Sequence, residues 1–144
     1  MTADTAFALD PRLAAECRVV GDAALSRVLL MDDARFPWLI LVPRRADLRE
    51  LVELARDEQS ALLDEINRVA HVLRALHKPD KLNIAALGNV VAQLHVHVIA
   101  RHVNDAAWPR PVWGVGTREP YTAPAFAARL KALRTALHLA EPAA

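Results

Sequence analysis

Apolar positions along the chain recur at two periods, one suited to strands and one to helices. Ser26–Met31 and Trp38–Val42 are short apolar runs of strand length. The second is unbroken, which predicts a central strand buried on both faces. Leu62, Ile66, Val69, Leu73 and Leu76 recur at three- and four-residue steps, predicting one long helix over 57–77 that ends at Lys78-Pro79-Asp80. Phe126, Leu130, Leu133 and Leu137 predict a C-terminal helix over about 122–139, capped by Thr122 with Pro124 in its first turn. His138 is expected to be exposed, and 141–144 to be a loose tail. Asp10-Pro11 predicts a short helix over 10–16, followed by a strand over Cys17–Gly21. Asp47 and Glu50 have capping-box spacing and predict another short helix, with Leu48, Leu51 and Val52 on one side. Residues 82–87 read as a strand, Gly88-Asn89 as a turn, and 93–101 as the next strand. Strands, helix, strands and helix in that order, with tight turns between neighbouring strands, predict a single α+β domain with a mainly antiparallel sheet.

The last strand carries the chemistry. In Gln93-Leu94-His95-Val96-His97-Val98-Ile99, polar and apolar residues alternate up to Val98. Successive strand side chains face opposite ways, so Leu94, Val96 and Val98 share one face while Gln93, His95 and His97 share the other. Three readings follow. The face is simply polar and half exposed, or it holds a metal ion, or one imidazole is a nucleophile and the other sets hydrogen bonds and charge around it. A metal needs a third ligand. Gln93 is a poor one, no Cys or Glu is close by, and His102 falls on the Leu94 face of a straight strand. Asn83, Asn89 and the Gly88 turn can reach the histidine face and bind phosphate oxygens without adding negative charge. Nucleophilic chemistry on a phosphate is therefore favoured, with no metal site.

Composition narrows the classes. The 144 residues suit one domain, and 53% hydrophobic with 24% charged residues suits a globule. Net charge of +1 gives no global field for DNA or RNA. No apolar run approaches the roughly 20 residues of a membrane span. The N-terminal residues lack a basic region followed by an apolar core, so no signal peptide is expected and the chain is placed in the cytoplasm. The single cysteine, Cys17, is read as a core residue rather than a reactive thiol. Arg44-Arg45 and Arg101-His102 are read as solvated strand ends, with the alternative that Arg44 or Arg101 lies near a polyphosphate. His71 and His77 are read as surface or boundary residues of the long helix.

These residues together resemble the histidine triad (HIT) family, whose signature is His-x-His-x-His-x-x with apolar x. Here Gln93 replaces the first histidine, and His95 and His97 are the middle and last. Asn89 stands where the family places Gln or Asn before the triad, and Asn83 falls within a residue of a polar substrate ligand. Phe36 to Arg45 is similar to the family's strand ending in a Pro-Lys/Arg step. Asp32 and Asp33 sit near the ribose-contact position. The resemblance covers roughly 15–115. It implies a mainly antiparallel sheet of about five strands with one long packed helix and a C-terminal helix. It also implies a homodimer, and catalysis in which His95 attacks the α-phosphorus of a nucleotide and water then hydrolyses the nucleotidyl-histidine. His97 would bond near the phosphate or the leaving group. Gln93 could orient a neighbour but not shuttle a proton, because an amide does not titrate.

The implied substrates are dinucleoside polyphosphates, as in a diadenosine tetraphosphate hydrolase, or nucleoside phosphoramidates. No cofactor is required, although Mg²⁺ can arrive with a polyphosphate. Trp113, in the Pro-, Gly- and Trp-rich loop after the motif, is read either as packing or a dimer contact, or as a wall of the nucleotide pocket. The rival classes are a nucleotide-binding sensor whose catalysis is lost through Gln93, and a His-x-His metalloprotein.

Overall fold

The computed structural model describes residues 7–142; the predicted leaderless N-terminus and the last two residues of the predicted tail lie outside them. Helix α1 (Pro11–Glu16) begins where Asp10 accepts a hydrogen bond from the Arg12 N–H and Pro11 presets the first turn. It runs directly into β1 (Cys17–Asp22), followed by β2 (Ser26–Met31) and β3 (Trp38–Pro43). The long helix α2 (Arg56–His77) precedes β4 (Lys81–Ala85) and β5 (Val96–Arg101), and α3 (Ala123–Leu137) closes the chain. The five strands form one sheet in the order β1-β2-β3-β5-β4, with every neighbouring pair antiparallel. This is the α+β architecture expected of the sequence.

Strand alternation divides the interior in two. Leu39 and Leu41 of β3 and Val96 and Val98 of β5 face α2 and α3, where they meet Leu62, Val69, Leu73, Phe126, Leu130, Leu133 and Leu137. Each fully buried aliphatic side chain contributes roughly 1.5–3 kcal/mol relative to exposure. Trp38, Ile40 and Val42 face the other way, into a second cluster with Leu13, Leu29, Met31, Ile99 and Val112. β3 is therefore buried on both faces, as its unbroken apolar run predicts.

Local polar bonds fix the helices on this frame. The Glu65 carboxylate accepts from the N–H groups of Leu25 and Ser26, tying α2 to the turn before β2. Lys78 ends α2 in the left-handed region, its N–H closing on the Arg74 carbonyl. Thr122 caps α3, and Arg134 of α3 donates to the carbonyls of Val19 and Val20 beside an irregularity in β1. Gly21 lies there because the 139–140 segment passes so close that a Cβ would come 2.7 Å from the Ala140 carbonyl oxygen. His138 is exposed, as expected.

Three expectations change. The helix predicted at Asp47 is a single 3-10 turn, Leu51–Glu53, whose capping box joins Glu50 to Glu53. Leu48 is buried, but Leu51 and Val52 are exposed, so no amphipathic face forms there. Leu76 is likewise 43% exposed. The histidine strand begins at Val96 rather than Gln93, and β4 ends at Ala85. The intervening residues make an irregular loop instead of a tight turn, and that loop lines the site.

Candidate active site

His97 lies in β5, opposite Ile40 of β3, and His95 lies one alternation earlier, just before the strand. Leu94, Val96 and Val98 anchor the other face in the helix-side core, so both imidazoles emerge on the Trp38 side of the sheet. Their ring centroids are 4.9 Å apart, and both residues are buried. They open into a cavity of about 710 Å³, within the range of small-molecule sites. α1 contributes Arg12, Leu13 and Glu16 to its wall, and the loop after β4 contributes Leu87 to Val91. Gly88 has φ +78°, a left-handed conformation that turns this loop back over the histidines and that a side chain would strain. The far wall is Trp113, whose ring lies 4.9 Å from that of His97 at 80°.

Hydrogen-bond partners assign both tautomers. His95 Nδ1 is 2.6 Å from the Gln93 carbonyl oxygen. A carbonyl only accepts, so Nδ1 carries a proton, and the neutral ring keeps its lone pair on Nε2. His97 has the opposite arrangement. The indole Nε1–H of Trp38 donates to His97 Nδ1 at 3.0 Å, and an indole nitrogen only donates, so the His97 proton is on Nε2. Burial, and then the neighbouring His95, push the His97 pKa down to about 3. The pair thus combines an imidazole protonated at Nδ1, with Nε2 left for attack, and a neutral imidazole whose proton is on Nε2. That pairing suits attack on an electrophile whose oxygens need a donor.

Among the residues singled out in the sequence, His95, His97, Gly88, Asn89 and Trp113 line this cavity. Three do not. The Gln93 side chain points away, its amide bonded to the backbone of residues 8 and 10. Alternation puts Gln93 on the histidine face only if the strand is regular, and here the strand has not yet begun. Asn83 accepts from Arg101 at 2.7 Å and serves a buried ion pair. Asp32 turns toward the chain before α3, accepting from the Tyr121 N–H at 2.8 Å and pairing with Arg118 at 3.4 Å.

Asp33 lines the cavity instead. Burial raises its carboxyl pKa, but a two-pronged bond from Arg35 more than offsets this and holds it below the usual range. Arg35 also donates to the Val115 carbonyl and so clamps the Trp113 loop against the turn after β2. Arg101, read as a strand end or phosphate contact, is 1% exposed and bonded to Asp105 and Asn83. Arg44 donates to the carbonyls of Ala23 and Ala24, and Arg45 pairs with Glu58. Neither lines the cavity.

Sequence reasoning missed Arg12 and Arg118 as cavity residues. Arg12 donates to the Val90 carbonyl at 2.6 Å, bridging α1 to the loop before the histidines. The usable signal was Arg12's place in a capped helix leading straight into an edge strand. Cys17 is half-buried, and burial pushes its thiol up to about 12, so it is no nucleophile at neutral pH. Among the described residues, no group of three or more His, Cys, Asp or Glu is placed to hold a metal ion. Nor, among them, is any helix long and apolar enough to cross a membrane.

The HIT domain family matches residues 12–104. A histidine triad protein from Bradyrhizobium japonicum has a solved structure that is 49% identical to this chain, with a TM-score of 0.89. The match covers 92% of this chain and 98% of that one. A histidine triad protein from Marinobacter aquaeolei VT8 is 44% identical at TM-score 0.89, over 93% of this chain and 98% of its own. One from Sinorhizobium meliloti 1021 is 45% identical at TM-score 0.88, over 91% and 97%. Comparison with the curated proteins gives no significant match. The chain belongs to the histidine triad (HIT) family, a membership that points to nucleotide binding and to hydrolase or transferase chemistry.

Proposed function

We propose that the protein cleaves a nucleotide at its α-phosphate through a covalent intermediate on His95. The observation that carries this reading is the opposed pair of tautomers, a free lone pair on His95 Nε2 beside a fixed Nε2–H on His97, in one cavity. The His95 lone pair attacks phosphorus and the bond to the leaving group breaks, its electron pair departing with that group. Positive charge developing on the imidazole is met by the Gln93 carbonyl at Nδ1. The His97 N–H donates to a nonbridging oxygen or to the leaving group as negative charge grows there. Water then attacks phosphorus, the phosphorus–Nε2 bond breaks with its electron pair returning to His95, and the nucleoside monophosphate leaves as the water gives up a proton to the departed leaving group or to solvent. Asn89 and the backbone at Gly88 line the cavity and would hold phosphate oxygens, with Trp113 as the wall for an aromatic base.

The favoured substrates are dinucleoside polyphosphates and nucleoside phosphoramidates. No metal enters the covalent steps, and Mg²⁺ arrives only with a polyphosphate. A homodimer is part of the proposal, supported by edge strand β4, where Ile84 is 49% exposed. The cytoplasm is the proposed compartment.

The test is a short incubation of wild type and His95→Ala with diadenosine tetraphosphate and with adenosine phosphoramidate. Nucleotide release is followed by chromatography and the protein by intact mass. AMP release with a transient nucleotidyl adduct, both absent in the variant, is the expected result. Nucleotide binding without release or adduct would instead identify a sensor.

A further inference from the structure

We propose that Gln93 is a positioning residue, a brace through which the segment before α1 sets the tautomer of His95. This rests on the reading of His95 as the attacking group. The Gln93 side-chain oxygen accepts from the Asp10 N–H at 2.9 Å, and its amide nitrogen donates to the Ala8 carbonyl at 2.9 Å. Both ends of the amide are thus bonded to one short stretch of backbone, and the residue cannot rotate without breaking a bond. Its own carbonyl accepts from His95 Nδ1 at 2.6 Å. The peptide that carries this carbonyl is held a second time, because its N–H, that of Leu94, donates to the Leu48 carbonyl at 2.9 Å.

In a trans peptide the C=O and N–H point in opposite directions. Fixing the Leu94 N–H on one side therefore aims the Gln93 carbonyl at His95 on the other. The tautomer of an imidazole follows the bond made by its far nitrogen. An amide suits this task because it donates and accepts at once and keeps the same form at every working pH. The segment at residues 8–10 thereby reaches the reacting nitrogen through one side chain and one peptide, and Gln93 never enters the cavity.

The experiment compares wild type, Gln93→Leu, Gln93→Glu, Asp10→Pro and Asp10→Ala by nitrogen-15 NMR of the His95 ring and by steady-state kinetics with diadenosine tetraphosphate. In Gln93→Leu the His95 signals should move from a pure Nδ1–H form toward a mixture. Its kcat should fall about 10- to 100-fold with KM changed less than about twofold. Gln93→Glu retains the acceptor for Asp10 and should recover part of that loss.

Asp10 has φ −54°, which proline adopts without strain, so Asp10→Pro removes the N–H and the helix cap with the backbone angle at position 10 kept. Asp10→Ala removes the cap and keeps the N–H, so a kcat loss in the proline variant beyond that of the alanine variant isolates the brace. This pair decides the matter if Gln93→Leu does not fold. An unmoved tautomer in Gln93→Leu overturns the proposal, as do equal effects of the two Asp10 variants or a change confined to KM. The NMR arm needs no substrate, so a tautomer shift in a protein that turns over neither nucleotide would keep the brace and refute the proposed reaction.

Discussion

The Trp38 indole N–H donates to His97 Nδ1 across 3.0 Å, joining residues 59 apart in sequence on neighbouring strands β3 and β5. That bond makes His97 a donor rather than an acid, because a protonated imidazole could not accept it. Replacing Trp38 with Phe keeps most of the ring packing and removes the donor. The buried Nδ1 then lacks a partner, at a cost of about 1–3 kcal/mol in stability. The His97 pKa should rise and its tautomers should mix, visible by NMR, and kcat should fall about 10-fold or more as the aimed N–H is lost. In wild type, ring resonances of His97 should stay unchanged from pH 8 to pH 5. An inflection from His97 in that range would contradict the assignment.

Stability should decline on mild acidification before carboxylates titrate. Burial depresses His97 to about 3, and burial with Arg129 and His102 nearby depresses His77 to about 4, both from 6.5. Below 6.5 the unfolded chain binds protons that the folded chain refuses, so stability is full above that pH. It is then lost as pH falls through 6.5 toward 4 and 3. Thermal melts from pH 7.5 to 4.5 should show a falling Tm, and His77→Gln should flatten part of the slope. A Tm independent of pH over that range would count against both shifts.

How far the sequence carried the reading depended on the regularity of each segment. Trp38–Pro43 and the stripe Leu62, Val69, Leu73 obey a single period, and their places in the fold follow from it. His95 and His97 could be paired from alternation because Leu94, Val96 and Val98 all seek the same core. Gln93 breaks the rule because its bonds to residues 8 and 10 are long-range and leave no local trace. Asn83 and Asp32 lie outside the cavity lining for the same reason, each bonded to a residue distant in sequence, Arg101 or Tyr121. Arg12 left only a faint signal, its place in a capped helix before an edge strand, because a cavity shared by four separate segments has no period.

The Arg101–Asp105 pair should be the most sensitive polar contact away from the histidines. Its two side chains are 1% and 6% exposed and joined at 2.7 Å, and Asp105 also accepts from the N–H groups of His102, Ala107 and Trp108. Burial raises the Asp105 carboxyl, yet Arg101 and these N–H groups hold it well below the usual range. Asp105→Ala strands a buried guanidinium and should cost about 3–5 kcal/mol by denaturant titration. The loop that carries Trp113 starts from this turn, so KM should rise before kcat falls. A cost below about 1 kcal/mol would mean that Arg101 finds another partner.

Arg12 should separate the two substrate classes. Its guanidinium lies at the cavity wall on α1, with one N–H on the Val90 carbonyl. Arg118 also lines the cavity, but the Asp32 carboxylate 3.4 Å from its Nη1 offsets its charge. Arg35 is committed to Asp33. Arg12 therefore has N–H groups to spare for an anionic chain that continues past the reacting phosphorus. A dinucleoside polyphosphate has such a chain and a phosphoramidate does not. Arg12→Ala should raise KM for diadenosine tetraphosphate about tenfold and leave adenosine phosphoramidate within about twofold. Arg12→Lys should recover much of the difference, because a point charge still attracts the chain. The wild-type preference for the polyphosphate should shrink as salt rises, and the alanine variant should lose that dependence. If Arg12→Ala weakens both substrates equally, the residue acts only by holding Val90, and the specificity of the site must be sought on the Trp113 side.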